Sequence, residues 1–259
     1  MLLALRERLD AVRTGPLRHR VVASAGAPRL AAELRRTLRR LPAQELVFDD
    51  SPSGRGLRDA VSHGVGRWRC VRPLLAVIRL PEDRATYLRG RHRQALRTNL
   101  TKADRLGLAG SEVPGKRQME RLAEQVRAAR YDTEATAEEF PYEDTDRWFA
   151  VRTADDRCVA LAGVAVAARD AYLRVLLSAG TRDEAGAARY LAHTMVVHAM
   201  MDSGAGRLWA DGPLTVSPGL QHFQRLLGYE CVRPVLTPAH NQRVDSGCSS
   251  WSTTVDTIS

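Results

Sequence analysis

The chain has 259 residues, of which 44% are hydrophobic and 27% charged, an ordinary globular balance that leaves room for one large domain or a domain with a smaller companion. Its net charge of +9 raises the question of a nucleic-acid partner, but of 39 basic residues only Lys102 and Lys116 are lysines, an arginine bias that a GC-rich genome writes into any surface. The longest uninterrupted apolar run, residues 159–168, is about half of what a membrane span needs, which excludes a spanning helix built from it.

The first residues, MLLALRERLDAVRTG, have a four-residue apolar opening and then charge, which is not the pattern of a secretory leader. The four cysteines, Cys70, Cys158, Cys231 and Cys248, are scattered without a CxxC pair, so they read as reduced thiols of a soluble cytoplasmic chain without a metal.

In chain order, residues 1–72 read as a small α/β segment: a helix over 3–12, a strand over 20–25, an arginine-studded helix over 27–41, a strand over 45–49 and a turn-rich loop over 51–56. The segment is short for a separate core and is expected to dock on the rest. Residues 73–80 (PLLAVIRL) form a strand, and Pro81, Glu82 and Asp83 open a helix that runs over 84–106 and stops at Gly107. On that helix Arg89, Arg93 and Arg97 recur every fourth residue, either as a solvated face or as the lining of a groove for an anionic partner.

A short strand near 111–114 and a helix over 116–129 follow. Residues 131–145 are acidic and aperiodic, a loop over a site or a mobile segment. The period then becomes that of strands: 148–153, 158–168 and 171–179 make an antiparallel meander joined by tight polar turns. A turn of small residues at 181–187, a helix over 187–201, a strand over 207–210, a helix over 218–227 stopped by Gly228 and a strand over 230–236 complete the pattern, and from Ala239 the composition is that of a flexible tail.

Two passages carry a family resemblance. YLRGRHRQALRTNLTKADRLG (residues 87–107), directly after PLLAVIRLPED, resembles the arginine-bearing helix that opens the transferase domain of FemAB-related and CelD-like proteins, and GLQHFQRLLGYE (residues 219–230) resembles the closing helix and strand of GNAT acyltransferases. With the order of the elements, the resemblance covers about two-thirds of the chain. It implies an α/β (α+β) GNAT fold, a mixed, mostly antiparallel twisted sheet flanked by helices, with the transferase domain over 73–238, a tail over 239–259, and residues 1–72 as a degenerate half of a second unit.

The resemblance also implies a site. A turn of small residues between a strand and a helix start presents unpaired N–H groups suited to a pyrophosphate. GNAT enzymes hold coenzyme A on such a turn, and here Arg182, Ala185, Gly186, Ala187 and Ala188 match it, with one residue too many between the arginine and the glycine and with Asp183 and Glu184 adding negative charge. Leu177 and Ala179 would lie beside the pantetheine arm on a strand splayed from the strand 207–210, with the acyl carbonyl near the splay.

Gln224 stands where many of these enzymes carry a tyrosine as acid to the leaving thiolate, and Ser217 where an asparagine often precedes the same helix. Asp211, at the end of the strand 207–210, is a candidate base or a turn residue. Glu143, with Glu138 and Glu139, could bind a cationic acceptor or take its proton, or belong to a solvated loop. His193 and His198, five apart on one helix, are not a metal pair and read as core or surface histidines, Tyr229 as packing, and Trp148 and Trp209 as core.

Three functions fit this reading. One is an acyl-CoA-dependent N-acyltransferase moving an acetyl or other acyl group to an amine of a small molecule or protein. Another is a FemAB-like aminoacyl transferase drawing on charged tRNA, which the +9 charge favours. The third is a non-catalytic binding module, and an oligomer fits any of them.

Overall fold

The computed structural model describes residues 27–65, 68–129 and 146–238. The helix expected over 3–12, the strand over 20–25, the acidic loop of 131–145 with Glu138, Glu139 and Glu143, and the tail from 239 lie outside them.

The fold is α/β, one mixed sheet of eight strands flanked by helices, in the order β1-β10-β4-β9-β8-β7-β6-β5. Its strands are β1 (Ala43–Phe48), β4 (Leu75–Arg79), β5 (Ala109–Glu112), β6 (Arg147–Arg152), β7 (Cys158–Ala167), β8 (Asp170–Ser178), β9 (Arg207–Asp211) and β10 (Glu230–Pro238), while β2 (Ser62–Val65) and β3 (Trp68–Val71) form a separate hairpin. Among the described residues only β1–β10 and β8–β9 pair in parallel. The expected meander is β6-β7-β8.

β7 shows why its sequence is a continuous apolar run rather than an alternating one. Nine of its ten residues are buried, because helices cover both faces of the sheet there. On one face lies α6 (Arg182–Asp202); on the other α5 (Lys116–Ala128) clusters with Cys158 and Leu161, and Leu57 of α2 (Pro52–Ala60) with Ala165 and Ala167. α2 replaces the loop expected over 51–56. Ser51 accepts a hydrogen bond from the Gly54 amide and Pro52 occupies the first turn, so a passage rich in turn residues is a capped helix start.

β1 extends the sheet formed by the strands after residue 72, paired with β10 from Ala43↔Arg233 to Phe48↔Pro238. Its Val47 N–H donates to the Asp170 carboxylate at 2.8 Å. The helix α1 (Ala27–Arg40) precedes it.

The single helix expected over 84–106 is broken. α3 (Arg84–Leu88) ends at Arg89, Gly90 takes φ +93°, Arg91–Arg93 form a 3₁₀ turn, and α4 (Gln94–Arg105) follows. At that φ a glycine is favoured because it carries no Cβ. The three arginines therefore share no face: Arg93 is buried and donates to the Leu227 carbonyl, Arg97 donates to the carbonyls of Leu88 and Gly90 at 2.7 and 2.9 Å, and Arg89 is exposed.

Candidate active site

β8 and β9 are parallel, so the chain must cross between them, and α6 makes the crossing over the sheet. Their pairing runs from Asp170↔Arg207 to Leu173↔Ala210 and ends there, whereas β8 continues to Ser178 on its β7 side. Beyond Leu173 the edge of β8 that faces β9 has no strand partner among the described residues. The splay expected between these strands is present.

A cavity of about 60 Å³ opens at that splay, lined among others by Leu173, Leu176, Ala210, Val216, Leu220 and Phe223. Apolar walls are joined there by convergent polar groups, a combination that suits a small-molecule site. The polar groups are Arg174, His193, Asp211, Gln224 and Tyr229.

Asp211 ends β9 and is bound on both sides. Its Oδ1 accepts from Arg72 at 2.6 Å and from the Tyr172 hydroxyl. Gln224, on α7 (Pro218–Leu226), donates to the Asp211 backbone carbonyl at 2.9 Å and is 7% exposed, so it ties α7 to the end of β9 and closes one side of the cavity. Arg174 reaches the buried Asp146 at 3.1 Å.

The deepest polar group is His193, which is 0% exposed. Its Nε2 lies 2.8 Å from the Tyr229 hydroxyl and its Nδ1 3.2 Å from the Tyr87 hydroxyl. Phe223 and Tyr229 pack edge-on against the imidazole, with ring centroids 5.7 Å away in both cases. Burial, and secondarily the Arg93 cation, lower the His193 pKa to about 3, so the ring is neutral. Burial likewise raises the phenols of Tyr87 and Tyr229, keeping both as O–H groups. The side chains come from α3, α6 and the turn after α7, so 142 residues of sequence separate the ends of the chain Tyr87–His193–Tyr229 (229 − 87).

The cofactor turn differs from its expected form. α6 begins at Arg182 with Thr181 as its cap, so residues 182–188 are already helical rather than a loop. Ala187 and Ala188 are fully buried and face the core, and Ala179 is buried as well; Arg182 is exposed, and Gly186 borders open space. The helix start is occupied by the chain's own carboxylates. Glu184 accepts from the Thr181 N–H at 3.0 Å and pairs with Arg157 at 2.9 Å, while Asp183 pairs with Lys102 at 2.6 Å. The Glu184 hydrogen bonds, the Thr181 amide first, and the Lys102 contact to Asp183 hold both carboxyls below their usual range.

The chain spans about 60% of the length of the first solved structures it is similar to. L-PGS of Bacillus licheniformis is similar over 62% of this chain and 60% of its own, at 12% identity and a TM-score of 0.45. FemX is similar over 62% and 60%, at 10% identity and a TM-score of 0.48. A GCN5-related N-acetyltransferase from Kribbella flavida is similar over 67% and 58%, at 19% identity and a TM-score of 0.36. No family model and no curated protein matches the chain.

Of the residues singled out in the sequence, the structure brings Asp211 and Gln224 to the cavity and sets Leu177, Ala179, Arg182 and Gly186 along the strand end and helix start beyond it. His193 and Tyr229 are the additions. The sequence leaves His193 as either a core or a surface histidine and carries no sign of its two tyrosine partners. Among the described residues no helix is long and apolar enough to cross a membrane, and no group of three or more His, Cys, Asp or Glu could hold a metal ion.

Proposed function

We propose that this chain is an acyltransferase that moves an acyl group from an activated ester or thioester to an amine, with its reaction centre in the cavity between β8 and β9. The observation that carries this reading is the splay itself. The edge of β8 beyond Leu173, which no strand among the described residues pairs with, offers backbone donors and acceptors to an extended donor molecule, and a backbone N–H at that edge can polarise the acyl carbonyl. The amine enters where Asp211 borders the cavity, a carboxylate held in place by Arg72 and Tyr172 and suited to orient a cationic or hydrogen-bonding nitrogen. In the reaction the amine nitrogen bonds to the carbonyl carbon, the carbon–sulfur or carbon–oxygen bond to the leaving group breaks, and a proton passes from nitrogen to the leaving atom.

With acyl-CoA as donor, the pantetheine arm follows β8 past Leu177 and Ala179, and the pyrophosphate meets the start of α6 near Arg182 and Gly186. That phosphate has to displace the Glu184 carboxylate from the Thr181 N–H. This same contact favours a second reading, an aminoacyl ester on tRNA, in which no pyrophosphate needs the helix start and the +9 charge contributes through phosphate contacts.

Calorimetric titration of acetyl-CoA into the wild-type protein and into Glu184→Ala tests the donor. If acyl-CoA is the donor, removal of the competing carboxylate tightens binding roughly five- to tenfold, the order expected for one charge at a helix start. Absence of heat in both proteins at millimolar acetyl-CoA rejects acyl-CoA, and deacylation of charged tRNA in the presence of an amine then tests the aminoacyl reading.

A further inference from the structure

The transfer needs a group that gives a proton to the leaving atom, and Gln224, spent on the Asp211 carbonyl, is not placed to do so. The Tyr87–His193–Tyr229 chain supplies another. The hydroxyl of Tyr87, a residue 1% exposed, is within hydrogen-bonding distance of His193 Nδ1. A buried hydroxyl left without an acceptor costs about 1–3 kcal/mol, so its proton is directed at that nitrogen.

Nδ1 then accepts, and a neutral imidazole that accepts at Nδ1 carries its single proton on Nε2. That N–H donates to the Tyr229 oxygen at 2.8 Å. Tyr229 receives a hydrogen bond from behind, and its own O–H is left to point into the cavity that the residue lines. In the opposite tautomer Nε2 would accept the Tyr229 proton and hold it away from the cavity.

We propose that Tyr229 is the catalytic proton donor of the cavity, and that His193 and Tyr87 are positioning residues that fix the tautomer and thereby aim its hydroxyl. The proposal rests on the acyl-transfer reading above. As the bond from the acyl carbon to the donor's sulfur or oxygen breaks, Tyr229 gives its proton to the leaving atom. The phenolate so formed is stabilised by the His193 Nε2–H and then takes a proton from the nitrogen that has joined the acyl carbon. One proton has moved from nitrogen to the leaving group, the phenol is restored, and His193 stays neutral throughout. Tyr229 lines the cavity while its partner His193 is sealed from water.

The test compares wild type, Tyr229→Phe and Tyr87→Phe with two donors and one amine. One donor is acetyl-CoA, or charged tRNA where that is the one consumed; the other is p-nitrophenyl acetate, whose leaving phenolate needs no proton. Tyr229→Phe is expected to lower kcat by about 100-fold with the first donor, within the range of general-acid contributions, with KM unchanged and with the p-nitrophenyl ester used as well as by wild type. Tyr87→Phe is expected to lower kcat several-fold, and ¹⁵N spectra of the histidine-labelled protein should show His193 shifting from mainly the Nε2–H tautomer in wild type toward the Nδ1–H form. A wild-type protein that transfers from neither natural donor overturns the acyl-transfer reading and this proposal with it. An active wild type whose Tyr229→Phe variant keeps its kcat, or loses activity equally with both donors, overturns the proposal alone. So does a wild-type His193 carrying its proton on Nδ1.

Discussion

Replacing Asp170 with alanine is expected to destabilise the fold by about 3–5 kcal/mol, the cost of stranding a buried charge whose partner is removed. Asp170 is fully buried at the start of β8. Its two oxygens accept from Arg207 Nε at 2.7 Å, Arg207 Nη2 at 2.8 Å, the Trp209 indole at 2.9 Å and the Val47 amide at 2.8 Å. Alanine would leave the Arg207 guanidinium without its carboxylate and two buried N–H groups without an acceptor. For a chain of this size the loss corresponds to a fall in Tm of roughly 10 °C. Because one of the four donors is Val47, the variant should also lose hydrogen-exchange protection at the Val47 amide before the rest of the sheet. A Tm within about 2 °C of wild type, a shift that corresponds to no more than about 1 kcal/mol, would show that the carboxylate is not what joins β1, β8 and β9.

Asp170 illustrates what the sequence hides. In the chain it is half of an Arg-Asp pair between two apolar runs, and it reads as a turn. Its importance comes from residues 47, 207 and 209, which no local pattern links to it. The elements themselves were legible, because burial on a sheet or helix face writes a period into the chain: β7, β8, β9, α5 and α7 start and end within about two residues of where periodicity and stop signals place them.

The errors arose where a cap or a single glycine decides. Ser51 and Pro52 start a helix in a passage that reads as loop, Gly90 breaks a helix whose apolar spacing continues through it, and Thr181 starts α6 about five residues before its apolar face becomes evident. The last of these turns an expected phosphate loop into a self-capped helix. At the candidate site, Asp211 was legible as a carboxylate at a strand end. His193 was not legible as a functional residue, since its partners come from positions 87 and 229 and only the fold brings them together.

That buried histidine also makes stability depend on pH in a window of its own. His193 titrates at about 3 in the folded protein, chiefly because burial disfavours the imidazolium and secondarily because of the Arg93 cation. In the unfolded chain an ordinary histidine titrates near 6.5. Below about pH 6.5 the unfolded state therefore binds a proton that the folded state refuses, so the stability present above that pH is lost as the pH falls toward 3. Between pH 7 and pH 5 the loss from one such histidine is about 2 kcal/mol.

The groups facing His193 do not reverse the sign. Tyr87 and Tyr229 remain phenols and Arg93 remains a cation across the window. His198 adds to it in the same direction, its pKa lowered by burial first and by Arg84 second. The carboxylates whose folded pKa is lowered, Glu184 and Asp183 among them, release their stability at lower pH than the histidines, since their ordinary values lie near 4. Urea unfolding at pH 7 and pH 5 for wild type and His193→Gln isolates the contribution. Glutamine can still donate to one tyrosine and accept from the other, but it has no proton to gain. The wild type should lose about 2 kcal/mol more than the variant over that interval, and equal losses would mean that His193 is not held neutral by its burial.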